Sequence, residues 1–137
     1  MARGFAVLAD NHLQQAVVEG LLTEGWDVIR AVDVFPEGTD DEVLFGHAVK
    51  QGRVFVTNDE DLLAIGHRWL ENGRLFPGLV YWHEQDYAAM TTGDILRALA
   101  RLAAKEEPFA YPIQFVTPPG TRASHRERFK RPRRPKR

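Results

Sequence analysis

The sequence predicts an α/β fold, a three-layer α/β/α sandwich in which helices cover both faces of a mainly parallel sheet. Strand-like apolar runs alternate with amphipathic helical stretches from Phe5 to Val116, and parallel neighbours need such crossover helices, which are right-handed. Most helical stretches open on Asn, Asp or Thr and close on Gly or Pro, residues that cap and stop helices. A length of 137 residues, with 44% apolar and 27% charged, suits one globular domain with a real core.

Gly4 leads into a strand over Phe5 to Ala9. Asn11 is placed to cap a helix whose apolar positions Leu13, Ala16, Val17, Gly20 and Leu21 fall at helical spacing, with Gly25 as the C-cap. Trp26 to Arg30 reads as the next strand, followed by an irregular loop through Pro36-Glu37-Gly38. Asp40 caps a helix with acids Asp41 and Glu42 in its first turn, where they suit the helix dipole; Leu44 and Ala48 give the buried stripe and Gly52 closes it. Arg53 to Thr57 is the central strand, and its apolar run stops in Asn58-Asp59-Glu60-Asp61 before a helix that turns Leu62, Ile65, Gly66 and Trp69 to one side and breaks at Asn72-Gly73. Leu79 to Trp82 is a fourth strand, introduced by Pro77-Gly78. Thr91 or Thr92 caps a last helix with Ile95, Leu99, Leu102 and Ala103 inward, stopped by Pro108, and Ile113 to Val116 is a short final strand.

The formal net charge of −1 hides an asymmetry. Residues 122–137 carry nine of the 18 Lys and Arg and one acid, Glu127, whereas the preceding residues hold 18 acids against nine bases. The reading is a domain over residues 1–117 and a basic tail over 118–137. Broken by Pro132 and Pro135 and almost free of apolar residues, that tail is expected to be disordered in isolation. It could hold phosphates or fold back on the acidic body. The absence of cysteine excludes disulfides and thiolate zinc sites, leaving carboxylates, His and water as metal ligands, so any metal is a hard one. No apolar run is long enough to cross a bilayer, and Met1-Ala2-Arg3-Gly4 passes straight into a strand, so the expected location is the cytoplasm, without a membrane partner.

In a parallel sheet the strand ends near Ala9 and Thr57 share one edge with the start of the helix opened by Asp40. Ligands bind at that edge. Three acidic groups then converge: Asp10, Asp40 with Asp41 and Glu42 beside it, and Asp59 with Asp61. Crowded carboxylates raise one another's pKa unless a divalent cation neutralises them. Mg²⁺ or Mn²⁺ is the natural occupant, able to hold a phosphodiester and activate water for in-line attack. The competing account makes each acid a helix cap; it covers Asp40 and Asp41 well, Asp10 less well because Asn11 is free to cap.

These residues resemble a known family. Leu8-Ala9-Asp10 at a strand end, Gly38-Thr39-Asp40-Asp41-Glu42-Val43-Leu44 with Ala48 a turn later, and Gly52-Arg53-Val54-Phe55-Val56-Thr57-Asn58-Asp59-Glu60-Asp61-Leu62 look like the small PIN-like domains related to VapC-type toxin nucleases and to the carboxy-terminal Mut-type RNase domain. The resemblance implies a PIN-like sandwich, Mg²⁺- or Mn²⁺-dependent hydrolysis of RNA, and a toxin role with an antitoxin protein as partner. By position, Asp10 matches the family's first acid, Asp40 the acid opening the second helix, Asp59 the acid after the central strand and Asp61 the second acid of that turn. Where many relatives have an acid-containing pair after the first acid, this chain has Asn11-His12; Glu42 is a substitute for the missing ligand. The catalytic set is thus Asp10, Asp40, Asp59 and Asp61, the metal set Asp10, Asp40, Asp59 and Glu42, and the tail residues Arg128, Lys130, Arg131, Arg133 and Arg134 are candidate RNA contacts. A homodimer is left open.

The rival from another class is a catalytically inactive PIN-like domain that binds nucleic acid or a protein. A receiver domain also places acids at strand ends, but wants a second acid after Asp10 and a lysine after the last strand, and Asn11 and Val116-Thr117-Pro118 supply neither. His12, His47, His67, His83 and His125 lack metal spacing. Trp26, Trp69 and Trp82 read as packing residues, and Thr57 and Asn58 as caps or as groups that orient water or phosphate. No phosphate-binding glycine loop is present.

Overall fold

Each apolar run is long enough to cross a sheet once, and each becomes a strand. The computed structural model describes residues 2–11 and 13–120; His12, His125 and the tail candidates Arg128, Lys130, Arg131, Arg133 and Arg134 lie outside the described residues. The order is β1 (Arg3–Ala9), α1 (Gln15–Thr23), β2 (Trp26–Arg30), α2 (Ala31–Val34), α3 (Asp41–Gln51), β3 (Val54–Thr57), α4 (Glu60–Glu71), β4 (Leu79–Tyr81), α5 (Glu84–Tyr87), α6 (Thr92–Ala103) and β5 (Ile113–Phe115). The five strands form one sheet in the order β2-β1-β3-β4-β5, every pair parallel. This is the α/β/α sandwich the alternating pattern implies.

Side chains alternate across the sheet, and the core splits accordingly. Val7, Ala9, Val54, Val56, Val80 and Trp82 face α1 and α6, against Val17, Leu21, Ile95 and Leu99. Leu8, Phe55 and Leu79 face α3 and α4, against Leu44, Phe45, Leu62, Ile65 and Trp69. Glycine permits the closest approach: a Cβ on Gly66 of α4 would stand 2.8 Å from Leu79 Cδ2, so the bare backbone lets α4 lie against β4.

The structure departs from the sequence reading in several places. Helix α1 begins at Gln15, not after Asn11, and its N-cap Gln14 makes no side-chain cap bond. Instead, the Leu13 N–H donates to the Asp10 carbonyl. Two short helices occupy connections without strong periodicity: α2 abuts β2 and buries Ala31, and α5 follows β4. Helix α6 ends at Ala103, before Pro108 can stop it. Its place is the larger surprise. It shares a face with α1, whereas the α3 and α4 connections run in the same direction across the sheet on the opposite face. The β4–α6–β5 crossover therefore has the opposite hand to the other three, against the usual rule. Helix α1 alone covers little beyond β1 and β2, and the strongly amphipathic α6 closes the apolar surface of Val54, Val56 and Val80.

Candidate metal centre

Strand register brings the acids together. β1 and β3 are neighbours with Ala9 opposite Val56, so the residues that follow, Asp10 and Thr57, stand level. Leu8 and Phe55 face α3 and α4, and a period of two sends Asp10 and Thr57 to the same side. The chain leaves β1 for β2 on one side and returns to β3 on the other, so the carboxyl ends of β1 and β3 form the topological switch point where a crevice opens.

Asp10 is only 6% exposed. Its Oδ2 accepts the Thr57 hydroxyl at 2.7 Å and its Oδ1 accepts the Asn11 N–H at 2.7 Å. The Thr57 oxygen in turn accepts the Asp59 N–H at 2.9 Å. Asp59 caps α4, its Oδ1 accepting the Asp61 N–H at 2.9 Å. From the other helix comes Asp41, the first residue of α3, which continues the buried stripe of Leu44, Phe45 and Ala48 toward the sheet. Asp41, Asp59 and Asp61 each present a carboxylate oxygen, and these lie within 4.8 Å of one another. Asp10, Asp41 and Asp59 line a cleft of about 540 Å³, walled on the far side by Arg30 and by Glu37 to Thr39. Asp59 also borders a second cleft of about 560 Å³ with Asp61, Tyr81 and His83.

Packing these groups together costs charge. Burial pushes the Asp41 carboxyl above its ordinary pKa, reinforced by Asp59, then Asp10, Asp61 and Asp40. Burial, with Glu60 and Asp59 nearby, pushes the Tyr81 phenol up to about 12, so it stays protonated at the edge of the second cleft. The donors are all carboxylate oxygens, and their spacing suits one hard cation with metal–oxygen distances of about 2.0–2.6 Å. The residues present therefore fit a divalent ion such as Mg²⁺ or Mn²⁺.

The sequence-derived candidates divide. Asp59 and Asp61 belong to the carboxylate group, and Asp10 lies beside it, joined to Asp59 through the Thr57 hydroxyl. Asp40 is the exposed N-cap residue of α3 and makes no side-chain cap bond; the acid of this helix that enters the cluster is its neighbour Asp41. Glu42 is also exposed, 3.1 Å from Arg68 Nη2 on α4, rather than joining the cluster. The signal that singles out Asp41 was in the sequence, since 41, 44, 45 and 48 share one helical stripe and 40 and 42 do not.

A family model for a PIN like domain matches residues 6–67. Residues 6–67 are similar to a PIN-like domain. The matched segment runs from β1 into α4 and contains Asp10, Asp41, Asp59 and Asp61. No curated protein and no solved structure matches the chain. The PIN-like match points to nuclease-type chemistry in general and to the divalent metals such domains use, and the acidic group supplies carboxylates of the kind that chemistry needs. Among the described residues no helix is long and apolar enough to cross a membrane.

Proposed function

We propose that this PIN-like domain is a divalent-metal-dependent ribonuclease that hydrolyses RNA phosphodiesters, acting as the toxin of a toxin–antitoxin pair in the cytoplasm. The observation that carries the reading is the convergence of Asp41, Asp59 and Asp61 within 4.8 Å beside buried Asp10, at an open cleft on the sheet's switch point. Mg²⁺ or Mn²⁺ held there would supply positive charge to a phosphoryl oxygen and lower the pKa of water. The residues of the chain prepare that place. Asp41, Asp59 and Asp61 offer the oxygens. Thr57 and Asn11 fix both Asp10 oxygens, so its carboxylate is oriented before any substrate arrives. The acids confront each other across two helix starts and a strand end, which leaves a cation as the means of relieving their repulsion.

The test is cleavage of varied RNAs in Mg²⁺ or Mn²⁺ by the full chain, beside Asp10→Asn, Asp41→Asn and Asp59→Asn and an EDTA control. Wild-type cleavage lost in all three variants and in EDTA is expected. A wild type that binds RNA and leaves every substrate intact would establish the silent binding module instead.

A further inference from the structure

Among the described residues, the acidic cleft has one cation on its wall, and no anion is bonded to that cation. Arg30, the last residue of β2, lines the cleft of Asp10, Asp41 and Asp59, and among the described residues no other Lys or Arg does so. Its position follows from register: Arg30 lies opposite Ala9, so the end of β2 flanks Asp10 on the side away from β3. The ion pairs Arg53–Asp27, Arg68–Glu42, His83–Glu60 and Arg97–Asp94 do not include Arg30. The guanidinium hydrogen bonds belong to Arg53, Arg68 and Arg97. Arg30 is half-buried at the wall of a crevice lined by four acids, Asp10, Glu37, Asp41 and Asp59, yet pairs with none of them.

We infer that Arg30 grips the RNA, donating two N–H bonds to non-bridging oxygens of a phosphate laid in this cleft. The inference rests on the nuclease reading above for its substrate and extends it to a residue outside the acidic set. A cation serves the carboxylates, but a phosphodiester brings its own negative charge into a predominantly acidic cleft. A guanidinium answers that charge with a planar fork whose geometry matches two phosphate oxygens. The second cleft, beside Asp61, has Glu60 and Glu84 on its wall and, among the described residues, no Lys or Arg. The phosphate is therefore drawn to the β2 side of Asp59, and Arg30 sets the side from which the strand enters.

The experiment measures RNA binding apart from cleavage. A short fluorescein-labelled single-stranded RNA is titrated with full-length protein in Ca²⁺ across a series of KCl concentrations, for wild type, Arg30→Ala, Arg30→Gln and Arg30→Lys. Mn²⁺ affinity without RNA and melting temperature are measured on the same proteins. Arg30→Ala should weaken RNA binding about tenfold, the loss of one charge-assisted contact. It should also flatten the slope of log affinity against log salt by about 0.7, one phosphate on a single strand. Arg30→Lys should restore the slope but only part of the affinity, and Mn²⁺ affinity should hold or tighten in all three. Arg30→Gln, which keeps most of the side-chain bulk, takes the place of the alanine variant if that fails to fold. Unchanged RNA affinity and slope overturns the inference, as does a loss of Mn²⁺ affinity in step with RNA. Binding that depends on Arg30 in a protein that never cleaves RNA upholds it while ending the nuclease reading.

Discussion

The hydroxyl of Thr57 donates to Asp10 at 2.7 Å and accepts the Asp59 N–H at 2.9 Å, joining the end of one strand to the turn after its neighbour through a single oxygen. Thr57 is fully buried, so neither bond is replaced by bulk water if the hydroxyl is removed. Thr57→Val keeps the shape and the β-branching but deprives a buried carboxylate and a backbone N–H of their partner. A loss of about 1–3 kcal/mol in denaturant unfolding is expected. Thr57→Ser should fall within about 1 kcal/mol of wild type. A valine variant as stable as the parent would mean the oxygen links nothing of consequence.

Asp59 has two roles that substitution can separate. As N-cap of α4 it needs an oxygen, which asparagine also provides; as a metal ligand it needs its charge. Asp59→Asn should therefore melt close to wild type in EDTA while Mn²⁺ affinity in calorimetry drops at least tenfold. Asp59→Ala should lose that affinity and about 1 kcal/mol of stability as well. Equal stability losses in both variants would assign Asp59 to something other than capping.

Asp41 links pH to stability. Its folded-state pKa is raised, so it favours the folded state most fully below the unfolded value near 3.8, and that contribution is lost as pH rises through the folded pKa. In EDTA, Asp41→Asn should consequently be more stable than wild type at neutral pH, with the gap closing as pH falls toward 3.8. Mn²⁺ should raise the melting temperature of the wild type more than that of the variant. Among the acids at the start of α3, Asp41→Asn should cost more Mn²⁺ affinity than Glu42→Gln, because Glu42 turns to Arg68. A reversed order would move the centre to the far face of the helix.

Removing residues 121–137 takes away nine of the 18 Lys and Arg on the chain. RNA binding by the truncated protein should be weaker and less dependent on salt, while cleavage at saturating RNA stays near that of the full chain. A drop in saturated turnover with unchanged affinity would place the tail in the reaction itself.

Much of this fold could be read from residue patterns. Alternation located all five strands, because Val54-Phe55-Val56 and Leu79-Val80-Tyr81 suit buried parallel strands and little else. Helix α6 was legible as an element from its spacing and Thr91 cap, but its side of the sheet was not, since coverage of an exposed apolar face is a property of the whole chain. The short α2 and α5 span a single turn each, too little for a period to show. At the site, Asp10, Asp59 and Asp61 stood out because they follow strands. The difference between Asp40 and Asp41 is one residue of helical phase, and a cap signal is strongest on the residue just outside the helix. Arg30 gave no motif at all; only the β1–β2 register places it beside the acids.

That register has a practical corollary. Asp10 meets Thr57 only because Ala9 sits opposite Val56; a slip of one residue between β1 and β3 would turn either side chain to the α1 side and scatter the carboxylates. Affinity for Mn²⁺ would then act as an assay of folding, counting the molecules in a preparation whose two central strands are aligned and passing over compact forms that have paired them out of step.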